Sequence, residues 1–286
     1  MSPQRTPRRP SGQPFGSRLR AARAARGPLC VGIDPHPALL AEWGLRDDVA
    51  GLEMFARIVT DALADRVSLL KPQLAFFERH GSRGLAVLEQ VVIEARDAGA
   101  LVLLDAKRGD IGSTMQAYAE AYLDPRSPIC ADAVTVSPFL GYEALRPALD
   151  LAARHHAGVF VLARTSNPEG AFVQQATGPD GRTVTQALLD AVRAENLEQA
   201  PWGSVGAVVG ATAAAPVPGC DVGGPLLAPG LGAQGASVAD LARVFPDVLG
   251  HVFPVSARGV LRQGPEVRAL RSAVDELSSQ CRAVLG

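Results

Sequence analysis

The segment LVLLDAKRGDIGST, residues 101–114, runs from an apolar stretch into a dense group of charges. Asp105 and Lys107 stand two apart, so on an extended backbone they share one face. Asp110 follows at the expected start of a helix. An earlier apolar run, VSLLK, ends at Lys71, and another, PLCVGID, ends at Asp34. With the runs as neighbouring strands, Lys71, Asp105, Lys107 and Asp110 form an alternating cluster in one pocket. Fixed ammonium groups can stabilise a developing anion and hand it a proton. The same charges would also serve as a structural ion-pair network, the commoner use of such groups. Four of them at the ends of apolar runs weight the reading toward chemistry.

Two later segments point to an anion. LLAPGLGAQG, residues 226–235, offers a Gly-rich turn that lets backbone approach a ligand closely. PVSARGVL puts Arg258 just after another apolar run, and its planar guanidinium suits a phosphate. Each alone reads equally well as a tight turn or a surface arginine. Together they make a phosphate-bearing substrate the expectation.

The elements that must position these residues follow a regular pattern. Eight apolar runs of strand length end at Asp34, Lys71, Asp105, Ser137, Thr165, Gly210, Pro229 and Ser256. Most are continuous rather than alternating, as in parallel strands buried on both faces. Helical stripes lie between them: Leu85, Leu88, Val92 and Ala95, then Leu145, Leu149 and Ala152. Ser237 and Asp240 read as a capping box, and Val267, Leu270, Val274, Leu277 and Cys281 mark a last stripe. This alternation predicts an α/β fold, a single (β/α)₈ barrel over residues 15–286, with its site at the C-terminal ends of the strands. The longest interval, Thr165 to Gly210, leaves room for an extra loop near residues 167–181. The shortest, Gly210 to Pro229, contains AAAPVPGCDVGG. Its prolines and glycines exclude a full crossover helix and predict a reduced, irregular sixth connection.

Composition sets limits on function. Lys and Arg number 28 against 29 Asp and Glu, a formal net charge of -1, so no bulk field draws the 286-residue chain onto nucleic acid or an anionic membrane. A bound phosphate must be held locally. Cys30, Cys130, Cys220 and Cys281 are widely spaced, which fits a reducing, cytoplasmic setting and gives no disulfide framework or metal site. No apolar run approaches the ~20 residues of a membrane span. Seven arginines precede the first acidic residue, Asp34. They read either as an organelle transit peptide or as a disordered tail over residues 1–14 with a short helix near residues 17–25. The prolines favour the tail.

DAKRGDIGST resembles the D-x-K-x-x-D-I-x-x-T signature of the orotidine 5′-monophosphate decarboxylase family. VGIDPHP, LLKPQLAFFE, RTSNPEG, VVGAT, APGLGAQG and SARG resemble further segments of that family, in order, from about residue 15 to beyond residue 260. The match is nearest to a bacterial branch with a longer loop after the fifth strand. The resemblance implies a cofactor-free, metal-free conversion of orotidine 5′-monophosphate to uridine 5′-monophosphate and CO₂ in pyrimidine synthesis. It implies that Asp34 and Lys71 contact the ribose hydroxyls, that Lys71 braces Asp105, and that Asp105 faces the substrate carboxylate. Lys107 would protonate C6, and Arg258 would hold the phosphate. Ser166 would touch the pyrimidine, although the adjacent Thr165 could take that role. Pro229 and Gln234 would line a closing loop. Asp110, Ile111 and Thr114 would reach into the site of the neighbouring subunit of a homodimer. The family usually has a helix in the sixth connection, and this chain departs from it there.

Two other readings compete. One is a related Mg²⁺-dependent sugar-phosphate decarboxylase or aldolase, which needs additional acidic ligands where this chain has Lys71. The other is a nucleotide-binding barrel without catalysis, since a fold does not dictate its chemistry.

Overall fold

The computed structural model describes residues 12–213, 216–232 and 235–286. Among them, eight parallel strands close into a barrel in chain order. They are β1 (Cys30–Ile33), β2 (Leu69–Pro72), β3 (Leu101–Arg108), β4 (Ala133–Val136), β5 (Gly158–Arg164), β6 (Val205–Val209), β7 (Leu226–Pro229) and β8 (Val252–Ser256). The barrel closes where Cys30 pairs with Val255. Every expected run forms a strand, and β3 continues past its expected end at Asp105. The main helices are α1 (Phe15–Arg26), α2 (Val49–Leu63), α3 (Gly81–Asp97), α4 (Gly112–Leu123), α5 (Arg146–Arg154), α6 (Val184–Asn196), α7 (Val238–Val244) and α8 (Val267–Leu285). Their apolar stripes pack on outward-facing strand residues such as Leu70, Val102, Leu104 and Val134. The capping box of α7 forms as expected, with Ser237 and Asp240 each receiving the other's backbone N–H.

The two unusual connections also follow the sequence reading. After β5 come a short turn of helix (Ala171–Gln174) and a bridge between Thr177 and Thr183 before α6 begins. Between β6 and β7 none of the described residues is helical. A side chain ties that link back to the barrel. Asn196, buried at the end of α6, donates to the carbonyls of Val205 (2.7 Å) and Val222 (2.8 Å), and its own carbonyl accepts from Val205 N–H. The expected tail before Phe15 falls largely on residues 1–11, outside the described residues, and Gln234 lies outside them too.

Strand residues spaced by two fill the barrel in layers. Cys30, Leu69, Leu103, Ala133, Phe160, Val208, Leu227 and Phe253 form an apolar interior. Lys71, Asp105 and Thr135 stand two residues further along β2, β3 and β4, and therefore one layer nearer the C-terminal mouth. The opposite end is plugged by α1, which the sequence placed as a helix without assigning it a task. Phe15 and Leu19 are fully buried, and the Phe15 ring meets Phe160 edge-on with centroids 6.0 Å apart. Arg18 anchors the plug by donating to Asp132 (2.6 Å), which also accepts from Arg96 (3.0 Å) and from Val102 N–H (3.0 Å). Burial alone would raise the Asp132 carboxyl, but Arg96 and Arg18 outweigh it and hold the group below the usual carboxylate range.

The plug is a stability element remote from the mouth. Phe15→Ala should cost about 3–5 kcal/mol in equilibrium urea unfolding, because a buried aromatic leaves a cavity the closed barrel cannot collapse. A loss below about 1 kcal/mol would show that α1 is not part of the packed interior.

Candidate active site

Three adjacent strands converge on one carboxylate. Asp105 projects from β3 into the barrel mouth, and each of its oxygens receives two donors. Lys71 Nζ from β2 donates to Oδ2 at 2.8 Å, joined by Gln73 Nε2 at 3.0 Å. Lys107 Nζ donates to Oδ1 at 2.6 Å, joined by Thr135 Oγ1 from β4 at 2.9 Å. Burying a carboxylate is tolerated only with compensation of this kind. Desolvation pushes the Asp105 carboxyl up, yet the ammonium groups of Lys71 and Lys107 prevail and hold it well below the usual carboxylate range. Lys71 shows the mirror-image balance: burial opposes its charge, but the carboxylates of Asp105 and Asp34 raise it above the ordinary lysine value. The two lysines differ in setting. The Lys71 side chain is 6% exposed, whereas Lys107 is 45% exposed and faces open space.

That space is a cavity of about 770 Å³ at the C-terminal mouth, large enough for a nucleotide. Asp34, Lys71, Asp105, Lys107, Ser166, Pro229 and Arg258, all expected from the sequence, line it. Its floor is apolar, formed by Leu162, Val208, Leu227 and Val255. Among the described residues, Asp34 Oδ1 is buried without a hydrogen-bond partner. Arg258, which also lines the cavity, stands at the start of a short helical turn (Arg258–Leu261), and Gly230, just after β7, lines it too. Gly230 has φ +114°, a conformation that side-chain-bearing residues rarely adopt. The ends of β7 and β8 thus present the backbone and guanidinium expected of a phosphate site.

The expected four-charge cluster is met only in part within one chain. Lys71, Asp105 and Lys107 come together, but Asp110, Ile111 and Thr114 do not line this cavity. The chain turns away at Gly109, where a side chain would collide with the Ser137 carbonyl oxygen. The Asp110 carboxylate then folds back to accept from Ile111 N–H at 2.8 Å, and Ile111 is 63% exposed. The extended-strand argument for Asp105 and Lys107 also needs correction. Pairing of β3 with β4 jumps from Leu104↔Val134 to Arg108↔Val136, and Lys107 has φ +49°. A bulge, not an unbroken strand, brings the two side chains together.

Sequence reasoning missed Gln73 and Thr135, the two neutral donors to Asp105. Both were findable. Gln73 stands two residues past Lys71, and Thr135 is the polar residue two past Ala133 inside an apolar run. His36 was also passed over; it lines the cavity beside Asp34, with its ring 4.4 Å from that of Phe76. Thr165 and Ser166 both line the cavity, and the Thr165 hydroxyl is engaged with Asn167 Oδ1 (2.6 Å) and Gln174 Nε2 (2.8 Å).

Among the described residues no helix is long and apolar enough to cross a membrane, and all four cysteines are buried free thiols. Comparison with known proteins extends the picture. Residues 27–273 match the model of the orotidine 5′-phosphate decarboxylase / HUMPS family. An orotidine 5′-phosphate decarboxylase from Streptomyces coelicolor is 61% identical over 275 residues, covering 96% of this chain and 99% of the relative. One from Salinispora arenicola is 61% identical over 274 residues, covering 95% and 98%. A solved Streptomyces avermitilis structure described as an orotidine 5′-phosphate decarboxylase superposes with TM-score 0.93 at 59% identity, covering 96% of this chain and 97% of its own. With the barrel, the charged mouth and these relatives in agreement over nearly the whole length, the chain belongs to the orotidine 5′-phosphate decarboxylase family.

Proposed function

We propose that Lys107, held by Asp105, is the proton donor to C6 in the decarboxylation of orotidine 5′-monophosphate to uridine 5′-monophosphate that this family member carries out. The observation that carries the reading is the unequal pair of lysines on one carboxylate. Both line the cavity, but Lys71 is largely buried against Asp105 while Lys107 is the more exposed ammonium. Loss of CO₂ leaves negative charge at C6, and only a cation facing that atom can both stabilise the charge and supply a proton.

The hydrogen bonds around Asp105 also bear on which effect dominates. Two unit charges ~4 Å apart interact by about 4 kcal/mol at an effective dielectric of 20. A slow uncatalysed decarboxylation calls for barrier reduction on the order of 20 kcal/mol. Repulsion between Asp105 and the substrate carboxylate falls far short. It is weakened further because both Asp105 oxygens already face ammonium groups. The substrate carboxylate and the C6 carbanion carry the same single negative charge, so the ammonium of Lys107 lowers the barrier only by standing closer to C6 than to the departing carboxylate. Preorganised stabilisation by Lys107 therefore carries the larger share.

The remaining assignments rest on which residues line the cavity. The unsatisfied Asp34 Oδ1 suits a ribose hydroxyl, which would donate to it. Arg258 and the Gly230 turn, which line the same cavity as the triad, suit the 5′-phosphate. Ser166 is the residue the family resemblance gives to the pyrimidine; it lines the cavity together with Thr165, whose hydroxyl is engaged within its own loop. Two ammonium groups on Asp105 disfavour the Mg²⁺-dependent reading, since a divalent cation would have to displace them.

We further propose a homodimer in which Asp110, Ile111 and Thr114 complete the partner's site. All three lie outside their own cavity, with Ile111 and Thr114 exposed and Asp110 half-buried, and this supports the reading, as do Phe139 (77% exposed) and Leu140 (52%) on the loop after β4. Pyrimidine synthesis by such an enzyme suits the cytoplasm, with a nucleotide as its one small-molecule partner and no resident cofactor.

Lys107→Ala should lower kcat by about 10²-fold or more while leaving the circular dichroism spectrum unchanged. Retention of more than about a tenth of kcat would remove Lys107 from the chemical step. Shared sites make a second expectation. Lys107→Ala and Asp110→Ala proteins should each be nearly inactive, but equal mixing with subunit exchange should restore about a quarter of wild-type activity, because half of the dimers then hold one intact site. No recovery, with exchange verified by native mass spectrometry, would put Asp110 in the service of its own chain.

A further inference from the structure

Lys107 sits in backbone that few side-chain-bearing residues adopt. Its φ of +49° lies in the left-handed region, and β3 is out of register with β4 there. Between the pairs Leu104↔Val134 and Arg108↔Val136, three β3 residues stand opposite the single residue Thr135. A bulge of this size breaks the ladder and leaves a part-buried N–H, that of Lys107, to be satisfied by other means. Thr135 satisfies it. The Lys107 N–H donates to Thr135 Oγ1 at 3.0 Å.

The hydroxyl has one proton, and that proton is also committed. Thr135 Oγ1 donates to Asp105 Oδ1 at 2.9 Å, the same oxygen that receives Lys107 Nζ at 2.6 Å. Lys107 is thus gripped at both ends, its backbone by the Thr135 hydroxyl and its ammonium by the carboxylate which that hydroxyl orients. Thr135 is 1% exposed, so water has little access to replace it. Strained backbone at a reacting group persists only where surrounding contacts over-determine it.

We infer that Thr135 is a positioning residue for catalysis, whose single hydroxyl fixes the left-handed turn at Lys107 and aims its ammonium across the Asp105 carboxylate. It touches no reacting atom in this role; it acts through Lys107 and Asp105. The inference rests on Lys107 being the proton donor.

Thr135→Val keeps the shape and removes both hydrogen bonds, and Thr135→Ser keeps the hydroxyl and removes a methyl group. For Thr135→Val, kcat should fall at least tenfold, while KM for orotidine 5′-monophosphate and the Kd for uridine 5′-monophosphate stay within threefold of wild type. Thr135→Ser should bring kcat back to within threefold. Should the valine variant fail to fold, Thr135→Ala supplies the same comparison with serine. A hydroxyl-free variant with kcat within threefold of wild type would overturn the inference. So would a serine variant no better than valine, or a kcat loss matched by an equal loss of product affinity. Lys107→Ala measured alongside separates the two levels. If it stays active, the donor assignment fails; if it is dead while Thr135→Val is active, only the positioning role fails.

Discussion

The charge on Asp105 is the constraint around which the mouth of this barrel is built. A carboxylate nine-tenths buried must be compensated, and every one of its four hydrogen bonds comes from a different side chain. Those donors require β2, β3 and β4 to be neighbours in that order, with Lys71, Asp105 and Thr135 in one layer. They also require β3 to bulge, so that Lys107 can turn back onto the carboxylate it follows by two residues. The outcome is a lysine whose ammonium is fixed yet faces the cavity, which is what a proton donor to carbon needs: little reorganisation at the moment of reaction.

Structural and chemical roles divide along the barrel axis. At the N-terminal end, Phe15, Leu19 and the Arg18–Asp132–Arg96 contact close the barrel with buried side chains. At the C-terminal end, Asp34 and Arg258 keep polar atoms turned toward a cavity. Ion pairs occur at both ends, but they differ in what they leave open. Asp132 is sealed among its arginines, whereas the Asp105 group presents Lys107 to the substrate side. Charge clusters in a barrel are therefore distinguished by the exposure of one member rather than by their composition.

Much of this was legible in the sequence, because parallel strands buried on both faces read as apolar runs and end in the residues that line the mouth. All eight strands, the capping box at Ser237 and the non-helical course of the described residues between β6 and β7 followed from local pattern, where Pro, Gly and hydrophobic period leave little choice. The grouping of Asp34, Lys71, Asp105 and Lys107 followed from strand ends. What did not follow was anything set by register. The β3 bulge depends on how β3 meets β4, so a period-two argument reached the right pairing of Asp105 with Lys107 for an incomplete reason. Thr135 looked like one more β-branched residue in a strand. The role of α1 depends on long-range packing against Phe160, which no local pattern records. Strand-end position alone grouped Asp110 with the other three charges; only the family resemblance set it apart, and Asp110 does not line the cavity of its own chain.

If Asp105 is the hub described, its charge must persist where ordinary carboxylates are protonated. Its folded-state carboxyl lies below its unfolded value, so the network contributes stability above the unfolded value of ~3.9 and loses it as pH falls toward the folded value. Lys71 is raised, so its contribution is present below the unfolded lysine value of ~10.4 and is lost only as pH rises through its higher folded value. Between these limits the Lys71–Asp105 pair stays charged. The direct measurement is the carboxyl ¹³C shift of Asp105, assigned by comparison with Asp105→Asn, followed from pH 8 down to the lowest pH at which the fold survives. A flat trace through pH 4 is the expected result. An inflection at or above the ordinary carboxylate value would mean that Lys71 and Lys107 do not hold Asp105 ionised, and that the geometry of the mouth has another cause.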